Sequence, residues 1–141
     1  MSELTVKGCT LTATVDASDG TLTCSPTESS TKLPSDYCKV NGKGIYFEKV
    51  VAQITSASIL ALSPPKGAAS PTGTFTGQET IDIKGTAEYV LEEGSKAVQK
   101  GDKGSKNITF IFPAQGGGTV TGSYEVTVEV TDAGQTDVTA L

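Results

Sequence analysis

The chain is 141 residues long, about one domain's worth, and carries a formal net charge of −5 with no histidine. All eleven positive charges are lysines, which excludes both the basic footprint a nucleic acid needs and bidentate arginine recognition of phosphate or carboxylate. Without histidine there is no Ser-His-Asp or Cys-His arrangement, and no stretch reaches the roughly 18 apolar residues of a membrane span.

Threonine, with 21 copies, is the commonest residue, and its β-branching favours strands. Four Phe, four Tyr and no Trp leave little bulk to fill a large interior. These features predict an all-β fold: a single domain over 1–141 with a small core spread along a slender body, built of short strands and tight turns.

The first residues, MSELTVKGCTLTATV, lack a basic region followed by an apolar run, so cytoplasmic synthesis is expected. Cys9, Leu11, Ala13 and Val15 recur at spacing two and predict a half-buried strand. DASDG at 16–20 is turn-forming, and a second strand over 21–24 completes an expected N-terminal hairpin. After a polar loop, SPTESSTKLP, the Asn41-Gly42 pair is the strongest hairpin signal in the chain. The apolar residues of VAQITSASILAL at 51–62 fit neither the helical nor the strand period cleanly, and a strand-like or irregular segment ended by Pro64-Pro65 is expected. Residues 63–77, SPPKGAASPTGTFTG, read as an exposed loop long enough to be functional or mobile.

The stretch IDIKGTAEYVLEEGSKAVQKGD, residues 81–102, reads as a strand (Ile81, Ile83), a corner at Gly85, and short extended pieces around turns at Glu93-Gly94 and Gly101-Asp102. NITFIF at 107–112, the AQGGG turn and the alternating Val120 to Val130 form the clearest hairpin. The polar tail from about 131 is expected to be loosely held. The chain also echoes itself at an offset of 52: Tyr37 matches Tyr89, Gly42 matches Gly94, and Ile45-Tyr46 falls on Ala97-Val98. Such an echo suggests a pseudo-repeated hairpin rather than a Greek-key sandwich.

Candidate chemistry is sparse. Asp16 with Asp19, Glu79 with Asp82, and Glu92 with Glu93 are paired carboxylates in turn or surface contexts, and the glycine-rich pieces lack the frame of a phosphate loop. No enzymatic activity and no cofactor are expected. Cys9, Cys24 and Cys38 are odd in number and widely spaced, which fits free thiols rather than a disulfide framework. They are the weak candidates for zinc, lacking C-x2-C spacing and a fourth soft ligand. Calcium at Asp16, Asp19 and the Gly20 turn lacks the twelve-residue ligand pattern.

IDIKGTAEYVLEEGSKAVQKGD resembles the repeating signature of the PAAR-like spike-tip proteins of contractile injection systems (type VI secretion, extracellular injection systems, phage-like tails). V-N-G-K-G-I-Y-F resembles that family's small-residue hairpin, and TVKGCTLTATV, with Gly8 and Cys9, its opening. The resemblance implies a β-rich cone that caps a trimeric spike protein and helps pierce the target envelope, with effector or cargo proteins as further partners, and release with the particle. No nucleic acid and no stable membrane insertion are implied. Classical members hold zinc near the apex through histidines and a cysteine, so without histidine that site is missing or replaced here. Tyr37, Tyr46, Phe47 and Tyr89, which cluster around the echoed hairpins, are the expected core or partner-binding anchors. The competing expectation is a small all-β structural or adhesion module, such as an Ig-like sandwich.

Overall fold

A computed structural model describes residues 2–139. Among the described residues there are eleven strands and no helix: β1 (Thr10–Val15), β2 (Gly20–Cys24), β3 (Thr27–Glu28), β4 (Lys39–Val40), β5 (Lys43–Gly44), β6 (Lys49–Ala61), β7 (Thr72–Lys84), β8 (Leu91–Glu92), β9 (Ser95–Lys96), β10 (Lys103–Pro113) and β11 (Thr119–Asp132). The all-β expectation holds. The tight turns are in place, but β6, β7, β10 and β11 run for 11 to 14 residues; β6 and β11 lie close to their expected bounds, whereas β7 and β10 extend well beyond theirs. Their length was hidden because threonine and serine fill many outward positions, leaving short apolar signatures.

One antiparallel sheet in the order β1-β11-β10-β7-β6-β2, with β3 added along β6, curls into a nearly closed barrel. A sandwich would need two facing sheets. The barrel's interior holds Leu11 and Ala13 of β1, Val50, Ala52, Ile54, Ala57 and Ile59 of β6, Ile81 and Ile83 of β7, Ile108, Phe110 and Phe112 of β10, and Val126, Val128 and Val130 of β11. Inward positions recur at spacing two, as a pleated strand requires. Gly73 belongs to this pattern: a Cβ there would lie 2.5 Å from the Phe112 ring, so the glycine makes room for the aromatic.

The ambiguous segment 51–62 forms nearly all of β6, with Leu62 just beyond its end. Its register against β7 shifts between Ile54 and Ser56, so the buried positions change phase from Ile54 to Ala57. An extra residue at a bulge breaks a period-two pattern without any helix being present.

β1 and β2 are joined by the expected turn, in which Asp16 accepts hydrogen bonds from Ser18 N and Oγ. They form no ladder with each other. β1 pairs with β11, and β2 with β6, so the N-terminal hairpin is the seam of the barrel. A side chain bridges the seam instead: the Glu28 carboxylate accepts from Gly8 N at 3.1 Å, from Tyr46 Oη at 2.8 Å and from Cys9 Sγ at 3.6 Å.

Residues 63–77 meet the expectation in part: the loop up to Pro71 is largely exposed, but it is neither as long nor as free as expected. Thr72 onward belongs to β7, and the remaining loop is pinned across the β10–β11 hairpin. Ala69 N donates to Pro113 O (2.7 Å), Gln115 N to Gly67 O (2.8 Å) and Tyr124 Oη to Ser63 O (3.3 Å). The tail expected to be loose places Ala133 and Gln135 in the interior, and Leu4 N donates to Val138 O. Its last residues, 140–141, lie outside the described residues.

Candidate interaction face

At one end of the barrel three short segments, Leu4–Val6, Ile45–Phe47 and Ala97–Gln99, meet in a ring. Thr5 N donates to Val98 O (2.8 Å), Val98 N to Tyr46 O (2.9 Å) and Tyr46 N to Thr5 O (3.0 Å). One step outward, Lys7 N donates to Gly44 O, Glu48 N to Lys96 O and Lys100 N to Glu3 O. The bridges Val6–Ile45, Phe47–Ala97 and Gln99–Leu4 repeat the same cycle. Each set maps onto itself when the three segments are exchanged cyclically, so the backbone bonding at this end of the molecule is pseudo-three-fold.

Three corners surround the ring. At the first, the β4–β5 hairpin turns through Asn41 (φ 53°) and Gly42 (φ 79°). At the second, β8–β9 turns through Glu93 (φ 51°) and Gly94 (φ 83°). Positive φ at both central residues is the type I′ geometry that matches strand twist. At the third, Thr139 bridges to Glu3, which corresponds to the pairing of Lys39 with Gly44 and of Leu91 with Lys96. The hydrogen bonds Ile45 N to Cys38 O, Ala97 N to Val90 O and Leu4 N to Val138 O complete the correspondence. The echo at offset 52 is therefore the relation between the first two corners.

The third corner uses different chemistry for the same shape. Ser35 N and Ala87 N donate to Ile45 O and Ala97 O, whereas at the third corner the Gln135 side-chain amide donates to Leu4 O at 2.7 Å. Gln135 Oε1 in turn accepts from Asp137 N and Val138 N, as Ser35 Oγ accepts from Tyr37 N and Cys38 N. Nothing in the sequence pointed to Gln135 or Asp137, because S-D-Y-C and Q-T-D-V share no residue at matched positions.

Under the corners lies a second apolar cluster of Leu4, Val6, Val40, Ile45, Phe47, Ala87 and Ala97. The four aromatic candidates divide accordingly. Phe47 packs in this cluster, and Tyr46 points the other way, into the barrel, with its hydroxyl on Glu28. Tyr37 and Tyr89 are 92% and 80% exposed, at corresponding places on two corners.

The cysteines are free and have separate surroundings. Burial, reinforced by Glu28, pushes the Cys9 thiol up to about 12. Burial raises the Cys24 thiol, and a hydrogen bond to Glu92 is the main cause raising that of Cys38. Raised in this way, the thiols hold a smaller thiolate fraction near neutral pH than a free cysteine. Among the described residues no group of three or more His, Cys, Asp or Glu is placed to hold a metal ion. The carboxylates singled out earlier are engaged with lysines on the outer sheet face: Glu79 with Lys106 at 2.8 Å and Asp82 with Lys49 at 3.2 Å. Asp16 is held below the usual carboxylate range by the Ser18 hydrogen bonds of its own turn.

No helix of the described residues is long and apolar enough to cross a membrane. No protein-family model, no curated protein and no solved structure matches the chain. Chemically, the ringed end offers shape, two uncovered aromatics and three corners with corresponding bridges, the third completed by a side chain.

Proposed function

We propose that this all-β domain is the tip of a contractile injection apparatus, one copy seated by its three-cornered end on a trimeric spike. The observation that carries the reading is the cyclic hydrogen bonding of Thr5, Tyr46 and Val98. A single chain can meet three identical subunits only if it presents three nearly equivalent surfaces, and a pseudo-three-fold end does so. Tyr37 and Tyr89 supply uncovered aromatic area of the kind that anchors interfaces. The resemblance of residues 81–102 to spike-tip signatures supports the same role, which is mechanical and assigns no reaction to the chain. The barrel end opposite the ring, sealed by the pinned loop, then faces the target envelope.

The test is co-purification with the products of neighbouring genes, followed by mass measurement of the complex. One chain per three spike chains is expected. Three chains per spike, or no complex at micromolar concentration, removes the tip reading and leaves a small structural β domain.

A further inference from the structure

The corners are alike in backbone and unlike in side chain. Tyr37 and Tyr89 each follow an exposed acidic residue, Asp36 and Glu88. At the third corner the corresponding place holds Asp137, exposed, with its Oδ2 accepting from Asn41 Nδ2 at 2.7 Å. Three identical groups of a symmetric partner therefore meet two tyrosines and one carboxylate.

That inequality restricts what the partner's group can be. An aliphatic group suits both tyrosines but covers the Asp137 charge without pairing it, which is costly. An anionic group repels Asp36, Glu88 and Asp137 alike. A cation is satisfied at all three: it lies over a tyrosine ring with Asp36 or Glu88 as counter-charge, and it pairs directly with Asp137. Lys96 stands 3.3 Å from Glu88, but that pair is exposed and is shared or displaced at little cost.

We infer that the partner presents one basic side chain per subunit to these corners, arginine suiting them better than lysine. A guanidinium both stacks on an aromatic face and forks onto a carboxylate. The inference rests on the seating proposed above.

The probe is the spike trimer recovered in the co-purification, titrated with the full-length chain and its variants from low salt to about 0.5 M. Tyr37→Leu and Tyr89→Leu keep apolar bulk and remove the π face. Asp137→Asn keeps an oxygen for Asn41 and removes the charge. Each is expected to weaken binding roughly tenfold at low salt, and the Asp137→Asn loss should shrink as salt rises, with thermal unfolding of the free variants unchanged. Wild-type affinity in both leucine variants, together with equal or tighter binding by Asp137→Leu, shows an apolar partner group and overturns the inference while the seating stands. Failure to recover any trimer removes both.

Discussion

Thr5, Tyr46 and Val98 occupy corresponding places in the ring, with side chains turned into the barrel, and their chemistries differ sharply. Tyr46 reaches Glu28 and Val98 is apolar, whereas Thr5 Oγ1 is fully buried without a hydrogen-bond partner. A buried unsatisfied hydroxyl is destabilising, and valine replaces it by a methyl group at nearly constant shape. Thr5→Val is expected to stabilise the protein by about 1 kcal/mol, read as a higher denaturant midpoint at unchanged slope; a lower midpoint contradicts it. A second expectation concerns alkaline pH. Cys9 titrates at 9.0 when unfolded and at about 12 when folded, first through burial and then through Glu28. The folded state therefore holds a proton that the unfolded chain releases, so the thiol's contribution is complete below pH 9.0 and is lost as pH rises toward 12. Tyr46, raised by burial and Glu28 above its ordinary 10.0, extends the loss beyond that value. Melting temperature should fall from about pH 9 upward, and Cys9→Ala should flatten the first part of that fall. An unchanged slope in the variant excludes Cys9 as its source.

The weakest join of the barrel is the seam between β1 and β2, where Glu28 replaces backbone pairing. Removing the carboxylate by Glu28→Ala leaves the part-buried Tyr46 hydroxyl unpaired and Gly8 N to water, a loss of about 1 kcal/mol. Hydrogen exchange should then quicken across β1 and residues 20–28 and stay slow in the β10–β11 ladder; uniform acceleration would mean that the seam is not a separate unit. The β10–β11 hairpin was legible in the sequence because Val126, Val128 and Val130 alternate with polar residues and a glycine-rich turn precedes them. The hairpin at Asn41-Gly42 was legible because few residues adopt positive φ at two successive positions, while Gly44 beside it left the length of its loop open. The β6 bulge, the unladdered seam and the pinned 62–71 loop were not, since each depends on partners far away in the chain. For the same reason Gln135 was invisible. A single side chain there completes a corner whose other two copies use backbone amides, and no local pattern announces that substitution.

At the scale of the whole molecule, the ring treats three differently built corners as interchangeable. Lys39 pairs with Gly44 across a four-residue connection turned at Asn41-Gly42, and Leu91 pairs with Lys96 in the same way. Thr139 bridges to Glu3 as the corresponding pair, and these two residues lie near opposite ends of the described chain. Placing Ala140, Asn, Gly and Ser2 between Thr139 and Glu3 supplies a connection of the same length, with a sequence suited to the type I′ turn. The chain can then be opened elsewhere, between Asn41 and Gly42, where an added Cβ on Gly42 would meet nothing and the hairpin tip points to solvent. Every ring hydrogen bond, every barrel ladder and both apolar clusters survive this rearrangement, because none of them crosses the new opening. What changes is the order in which the strands are connected, and short loop closures differ in entropy by only about 1 kcal/mol. The permutant is expected to unfold cooperatively, with a stability within about 1 kcal/mol of the original and the same all-β circular dichroism spectrum. A chain that loses cooperativity or collapses into aggregates shows that the third corner is not equivalent to the other two, and with it the three-fold seating loses its structural basis.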